Sequence, residues 1–191
     1  MKIVLASSST YRKKLMSQIG VSFITDSPDI DESAHPNETA MALVERLSKE
    51  KAKAVAARHP NALIVGSDQV ATIDGLIVGK PHTHEAAVAQ LRAASGQTLT
   101  FLTGLCVHNA VTDQSNTLVD TVSVTFRELT DEAIERYLLI DTPYDCAGSF
   151  KMEGLGITLF SNIQCRDPNA LIGLPLIGLV GLLQDEGLAI P

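Results

Sequence analysis

The feature that most constrains this chain is its opening, Ile3-Val4-Leu5-Ala6-Ser7-Ser8-Ser9-Thr10-Tyr11-Arg12-Lys13-Lys14. It passes from apolar residues, through four hydroxyl side chains, into a basic segment. A short apolar run of this kind reads as a buried strand of a mostly parallel sheet, and the hydroxyl cluster supplies N-caps for a following helix. Helix N-termini leave backbone N–H groups unpaired and carry the positive end of the dipole, so they attract anions. Arg12, Lys13 and Lys14 add positive charge where the dipole alone would favour Asp or Glu. An anionic ligand would account for that excess, and so would solvated basic residues on a capped surface helix; the segment alone leaves both open.

At 191 residues the chain can bury one good core, with room for a smaller lobe, and is read as one domain over 1–191. Its net charge of −7 argues against a binder of duplex nucleic acid, which needs a basic face. Local basic clusters on an acidic body suit a small anionic ligand instead. Cys106, Cys146 and Cys165 are odd in number and lack C-x-x-C spacing, which fits reduced thiols in a cytoplasm rather than a disulfide scaffold or zinc site. The first residues show no charged-then-apolar leader, which adds to the cytoplasmic expectation. The apolar run from Ala170 to Leu183 is interrupted by Gly173, Pro175, Gly178 and Gly181 and is shorter than the ~20 residues of a membrane span. It is read as a core helix, with no membrane partner.

Along the chain, Ser22 to Thr25 reads as a second short strand after a stop at Gly20, and residues 27–33 as an acidic loop. Apolar positions recur at helical spacing from Glu38 to Arg58, with Asn37 as the cap. Ala62 to Gly66 is another buried strand, its pattern continuing through Val70 to Ile73 before an Asp74-Gly75 turn and Leu76 to Val78. Thr83 to Ala94 reads as a helix, Thr98 to His108 and Leu118 to Phe126 as paired strands, and Thr130 caps a helix to about Ile140. Residues 148–156 are glycine-rich, and a last helix runs from Pro168 to about Gln184, with Asp167 and Asn169 as its caps. Helices alternating with strands early and paired strands later predict a mixed α/β sheet.

Two further motifs carry chemistry. In Val65-Gly66-Ser67-Asp68-Gln69 the acid stands just past the end of a buried strand, where open α/β sheets collect ligands; its alternative is a turn or cap residue. Gly79-Lys80-Pro81 holds a lysine between two backbone punctuators. It is not a Walker A loop, since the spacing from Gly75 is too short and Pro81 stands where Ser or Thr is required.

These segments occur in one order with the acidic loop ending in Asp31-Glu32, Glu50-Lys51-Ala52, Ala147-Gly148 and Gly173-Leu174-Pro175. In that order they resemble the Maf family of nucleotide pyrophosphatases over essentially the whole chain. The resemblance implies an elongated mixed β-sheet flanked by helices with a central nucleotide cleft, like the inosine triphosphate pyrophosphatases. It also implies hydrolysis of nucleoside triphosphates to monophosphate and pyrophosphate with a divalent metal. Carried over by position, the essential acid falls on Asp68 and the second acid on Glu32, both of them metal ligands. The lysines fall on Lys51 and Lys80, the helix arginine on Arg12, and the serine before it on Ser9. Both lysines are expected in a surface cleft, where a charge adds little to stability.

The first motif departs from the family form Ser-Pro-Arg-Arg, reading Ser9-Thr10-Tyr11-Arg12. Thr10 for proline should matter little at a helix start. Tyr11 for arginine changes what can bind, because an aromatic face can stack on a purine and favours a cationic one. Gln69 follows the acid, and Glu153 in the late glycine-rich loop can accept from the N1–H and N2–H edge of guanine. Tyr11, Gln69 and Glu153 resemble the branch of the family that prefers 7-methyl-GTP over dTTP and UTP. The plain alternatives are a Tyr11 ring packed on the core and a solvated Glu153.

The expected mechanism has Lys51, Lys80, Arg12 and the helix start holding the triphosphate. Mg²⁺ or Mn²⁺ would bridge phosphate and carboxylates, and Asp68 would activate a water for attack on the α-phosphorus. Two rivals remain: a dTTP/UTP pyrophosphatase of the same family, which Tyr11 and Glu153 oppose, and a non-catalytic nucleotide-binding regulator. Against the regulator stands Asp68, since binding alone needs no water-activating acid. The sequence leaves a homodimer open.

Overall fold

A computed structural model describes residues 1–190. Among them seven strands form one mixed sheet in the order β2-β1-β3-β5-β6-β7, with β4 paired to β3. The strands are β1 Lys2–Ala6, β2 Phe23–Asp26, β3 Ala62–Ile73, β4 Leu76–Val78, β5 Thr98–Asn109, β6 Gln114–Phe126 and β7 Phe160–Cys165. The helices are α1 Thr10–Met16, α2 Ala40–Ala56, α3 His84–Ala94, α4 Asp131–Asp141 and α5 Leu176–Asp185. Strand β1 is parallel to both β2 and β3, whereas β4 and β7 are antiparallel to β3 and β6. No helix is long and apolar enough to cross a membrane among the described residues.

The chain divides into two compact units, and β3, β5 and β6 each contribute residues to both. The first comprises Met1–Gln69, Leu102–Asp120 and the chain from Asp167 onward. Strand side chains alternate between faces, and this unit's core divides accordingly. Ile3, Leu5, Leu63, Val65, Leu105 and Val107 pack under α1 and α5 with Leu15, Met16, Leu176, Leu179 and Leu183. Val4, Ala6, Ile64 and Cys106 face the other way, under Ala52, Val55 and Ala56 of α2.

Helix α2 sits unusually close to its sheet. A Cβ added at Gly66 of β3 would lie 2.1 Å from the backbone oxygen of Ser48, and one at Gly104 of β5 would lie 2.1 Å from that of Val44. Ser48 and Val44 are one turn apart on α2, so the two hydrogen-for-side-chain positions form a seat for a stretch of helix backbone. The seat tests directly. Gly66→Ala must push backbone against backbone and is expected to cost about 1–3 kcal/mol, a fall of about 2–12 °C in Tm for a chain this long. An unchanged melting curve would show that the helix yields freely.

The second unit, Val70–Phe101 with Thr121–Arg166, has its own core. Phe101, Phe126, Phe150 and Phe160 meet edge to face with ring centroids 4.8–5.9 Å apart. Helices α3 and α4 pack on each other; Thr130 caps α4 as the sequence predicts, and Thr83, expected as the first residue of its helix, is instead the N-cap of α3.

Three sequence expectations are corrected. The cap of α2 is Thr39, whose hydroxyl accepts from the Ala42 amide, while Asn37 occupies a left-handed turn position. The final helix does not begin at Pro168: Pro168–Ile172 is a 3₁₀ turn that ends at Gly173, with φ of 115°, and α5 starts only after Pro175. That left-handed glycine halts the first turn, and Pro175 takes up the chain as the N-cap of α5. Asp167 serves both pieces, accepting from Asn169 N at 2.8 Å and Ile177 N at 2.7 Å, so only Asp167 caps; the Asn169 side chain donates to it instead. Lastly, Asp68 is not past the end of its strand but within the unbroken twelve-residue β3. The pairing of β1 with β3 stops at Leu5↔Val65, so Asp68 lies three residues beyond the end of that parallel pairing.

Candidate functional site

Residues 66–69 alternate faces of the sheet. Gly66 and Asp68 look toward α2, the first making room for the helix and the second meeting Lys51 on it. Ser67 and Gln69 look the other way, toward the turn at 170–173. The Ser67 hydroxyl lies 2.8 Å from both the Gly104 and the Gly173 carbonyl oxygens; one proton serves two acceptors. Gln69 donates to Thr103 Oγ1 and to the carbonyl oxygens of Ala170 and Leu171. Its amide nitrogen therefore binds the strand to the turn. Sequence reasoning assigned Gln69 to substrate and gave Ser67 no role; Ser67's place inside a Gly-Ser-Asp strand was the available signal.

The charged centre lies in the first unit. Lys51 Nζ is 2.7 Å from Asp68 Oδ1 and 3.0 Å from Glu32 Oε1. Lys51 and Asp68 are only 5% and 6% exposed, whereas the Glu32 side chain is 58% exposed on its loop. This corrects the expectation of a surface lysine at position 51. Helix α2 brings it in because Lys51 falls on the same stripe as Val44, Leu47, Ser48, Ala52 and Val55, all buried. Lys80, by contrast, is exposed.

Arg12 completes the group. The Ser9 hydroxyl caps α1 by accepting from Arg12 N, and Ser7 Oγ accepts from Ser9 N. The turn out of β1 is thus built by the serine cluster, with Thr10 as first helical residue. Arg12 Nε donates to the Gly173 oxygen at 2.8 Å, the same carbonyl that Ser67 engages. Burial lowers the guanidinium pKa from its ordinary value, and the negative charges of Asp68 and Glu32 oppose that shift. Neighbouring Tyr11 remains more than a third exposed. Two cations and two carboxylates balance, leaving this centre formally neutral.

Lys80 and Glu153 belong to the second unit. The Lys80 loop is pinned on both sides, the Gly79 oxygen accepting from Gln90 Nε2 and the His82 amide donating to the Tyr144 oxygen. His84, at the start of α3, bridges Tyr144 OH and Glu135 at 3.0 and 2.9 Å and so has a structural task. Glu153 is exposed on a turn tied to α4: Lys151 N donates to Tyr137 OH, and Leu155 N to Asp141 Oδ2. No group of three or more His, Cys, Asp or Glu side chains that could hold a metal occurs among the described residues. The oxygen donors present, Glu32 and Asp68, are hard ligands of the kind Mg²⁺ or Mn²⁺ takes. Mg²⁺ is ordinarily held by one or two carboxylates together with substrate phosphates, and this pair fits that manner of binding.

A mixed sheet covered by helices, with an acid–lysine pair seated mid-strand, is an arrangement whose fold has a solved counterpart. The Staphylococcus aureus Ham1 protein superposes with a TM-score of 0.57, over 97% of this chain and 100% of that one, at 15% identity. That likeness is one of fold. Residues 2–186 match the family described as Maf-like protein, and the chain belongs to that family. Relatives named 7-methyl-GTP pyrophosphatase are 52% identical in Nitrosococcus oceani, over 97% of this chain and 93% of the relative. In Pseudomonas syringae pathovar tomato identity is 53%, over 99% and 98%. In Alcanivorax borkumensis it is 52%, over 99% and 96%.

Proposed function

We propose that this protein is a cytoplasmic, metal-dependent nucleoside triphosphate pyrophosphatase that converts 7-methyl-GTP to 7-methyl-GMP and pyrophosphate. The observation carrying the reading is the buried Lys51–Asp68 pair, with Glu32 and Arg12 around it, in a chain about half identical to relatives of that name. A lysine between two carboxylates has no evident use in passive binding of a triphosphate. It has one in hydrolysis, where it holds an acid in a fixed place and offsets charge at the attacked phosphorus.

Lys51 takes Asp68 Oδ1, which leaves Oδ2 to accept a proton from a water attacking the α-phosphorus. The P–O bond to the β-phosphate breaks and pyrophosphate leaves. Because the Arg12, Lys51, Asp68 and Glu32 charges cancel, the charge of a triphosphate needs a further partner. Mg²⁺ or Mn²⁺ held by Glu32 and Asp68 would neutralise phosphate oxygens and polarise the phosphorus. The remaining roles rest on the family resemblance alone: it assigns Lys80 to the leaving pyrophosphate, Tyr11 to stacking on the cationic 7-methylguanine ring and Glu153 to that base's N1–H and N2–H edge.

The direct test is pyrophosphate release from a panel of nucleoside triphosphates with Mg²⁺, in which 7-methyl-GTP should lead and dTTP and UTP should trail. A preference for dTTP or UTP would overturn the base assignment, and no turnover of any triphosphate would favour a regulator. Base reading has its own test. Glu153→Gln places a donor against a donor, which costs about 1–3 kcal/mol, or roughly ten- to a hundredfold in specificity. Tyr11→Ala should lower kcat/KM for 7-methyl-GTP more than for GTP, since only the methylated base carries the cation–π attraction. If the ratio of these two substrates is unmoved by both changes, the base binds elsewhere.

A further inference from the structure

Among the described residues the side chain of Glu32 has one ion pair, with Lys51 at 3.0 Å, and it stands on a stretch, residues 27–39, with neither helix nor strand. Something other than Glu32 must hold that stretch over the centre. Across Glu32 itself a small turn forms, with Ser33 N donating to Asp31 Oδ1 at 2.9 Å. Just beyond it, the Ser33 carbonyl oxygen accepts from Arg46 Nη2 at 3.0 Å. The same guanidinium grips the far end of the loop: Nε donates to Glu38 Oε1 at 2.7 Å and Nη2 to Glu38 Oε2 at 2.8 Å. Its remaining nitrogen reaches Glu50 Oε2 at 3.0 Å, one turn along α2. Glu38 in turn accepts from the His35 amide at 2.9 Å, closing the loop on itself.

All three nitrogens of one arginine are therefore engaged, and the loop is fastened at residues 33 and 38 to the helix that carries Lys51. Bidentate pairing of this kind fixes direction as well as distance, which a lysine cannot reproduce. We propose that Arg46 is a positioning residue for Glu32: its fork to Glu38 and its bond to the Ser33 carbonyl set where the Glu32 carboxylate stands relative to Lys51 and Asp68. The proposal rests on the role given to Glu32 above. Arg46 also keeps the Glu38 carboxyl down at about 2, so the clasp stays ionised through any ordinary assay pH.

The experiment compares Arg46→Lys, Glu32→Gln and the double variant, all as the full chain, for hydrolysis of 7-methyl-GTP and for thermal melting. Arg46→Lys keeps the charge and loses the fork. Its kcat should fall about ten- to a hundredfold, the range expected when a reacting group is misplaced by a fraction of an ångström to an ångström, with KM within about twofold. Adding Arg46→Lys to Glu32→Gln should lower kcat no further than about twofold, although it lowers Tm as much as it does alone. Glu38→Gln, which releases the other end of the clasp, should show the same dependence on Glu32. A full further loss of kcat in the double variant would mean that Arg46 acts on the fold in general and would overturn the proposal. So would wild-type turnover by Arg46→Lys beside an impaired Glu32→Gln. Full activity of Glu32→Gln alone would instead remove the role given to Glu32, and the positioning proposal with it.

Discussion

Hydrolysis by the Asp68→Asn protein falls by about a hundredfold or more, the low end of what loss of a general base costs. The substitution keeps the shape of the side chain and can keep an acceptor for Lys51, which still faces Glu32, so a folded protein is expected, with a Tm lowered by the loss of the buried negative charge beside Lys51. Steady-state kcat/KM for 7-methyl-GTP and a thermal scan of the same sample read both quantities. Turnover near that of the parent, in a protein still folded at the assay temperature, would remove Asp68 from the chemistry.

Lys51→Ala should damage both activity and fold. Lys51 and Asp68 are almost fully buried, and removing one partner of such a pair leaves the other charge uncompensated. The expected cost is about 3 kcal/mol, the lower end of the range for a broken buried pair because Arg12 still faces Asp68. For a chain of this size that is a fall of about 6–12 °C in Tm. The Asp68→Asn background provides the control, since without a buried carboxylate to orphan, Lys51→Ala should cost far less stability there. Equal costs in the two backgrounds would mean that Lys51 stabilises the protein by packing its stem rather than by its charge.

That contrast marks where sequence reading reaches and where it stops. The strand–serine–helix opening was legible because a cap and an apolar run are local, and Ser9 does cap α1. Lys51 stood out in the sequence through its Glu50-Lys51-Ala52 motif, but not as a buried residue. Its burial depends on α2 lying against two glycines distant in sequence, Gly66 and Gly104. Strand β7 was missed altogether: Phe160-Ser161-Asn162-Ile163-Gln164-Cys165 is largely exposed at the sheet margin, so its pattern carries little hydrophobic signal. The reach of β3 through Asp68 was misread because a strand with glycine and serine in mid-course looks like an ending. Pairing with β4 carries it through to Ile73. Gln69 was assigned to substrate for its chemistry, while its amide nitrogen donates to the turn that supports Arg12. Arg46 drew no notice, since a guanidinium on an amphipathic helix looks solvated until Ser33 and Glu38 are seen to fold back onto it.

The glycine seat beneath α2 bears on how an enzyme of this design could change its substrate. With helix backbone resting on strand backbone at two points one turn apart, there is no side chain between them to enlarge, shrink or re-pack. The distance from lysine to acid is therefore closed to gradual adjustment, and a new nucleobase cannot be accommodated by lifting the helix. Variation is left to the exposed positions proposed for the base, Tyr11 and Glu153, where a substitution disturbs no core. Such a molecule can drift in which nucleotide it accepts while the buried lysine–acid pair stays as it is.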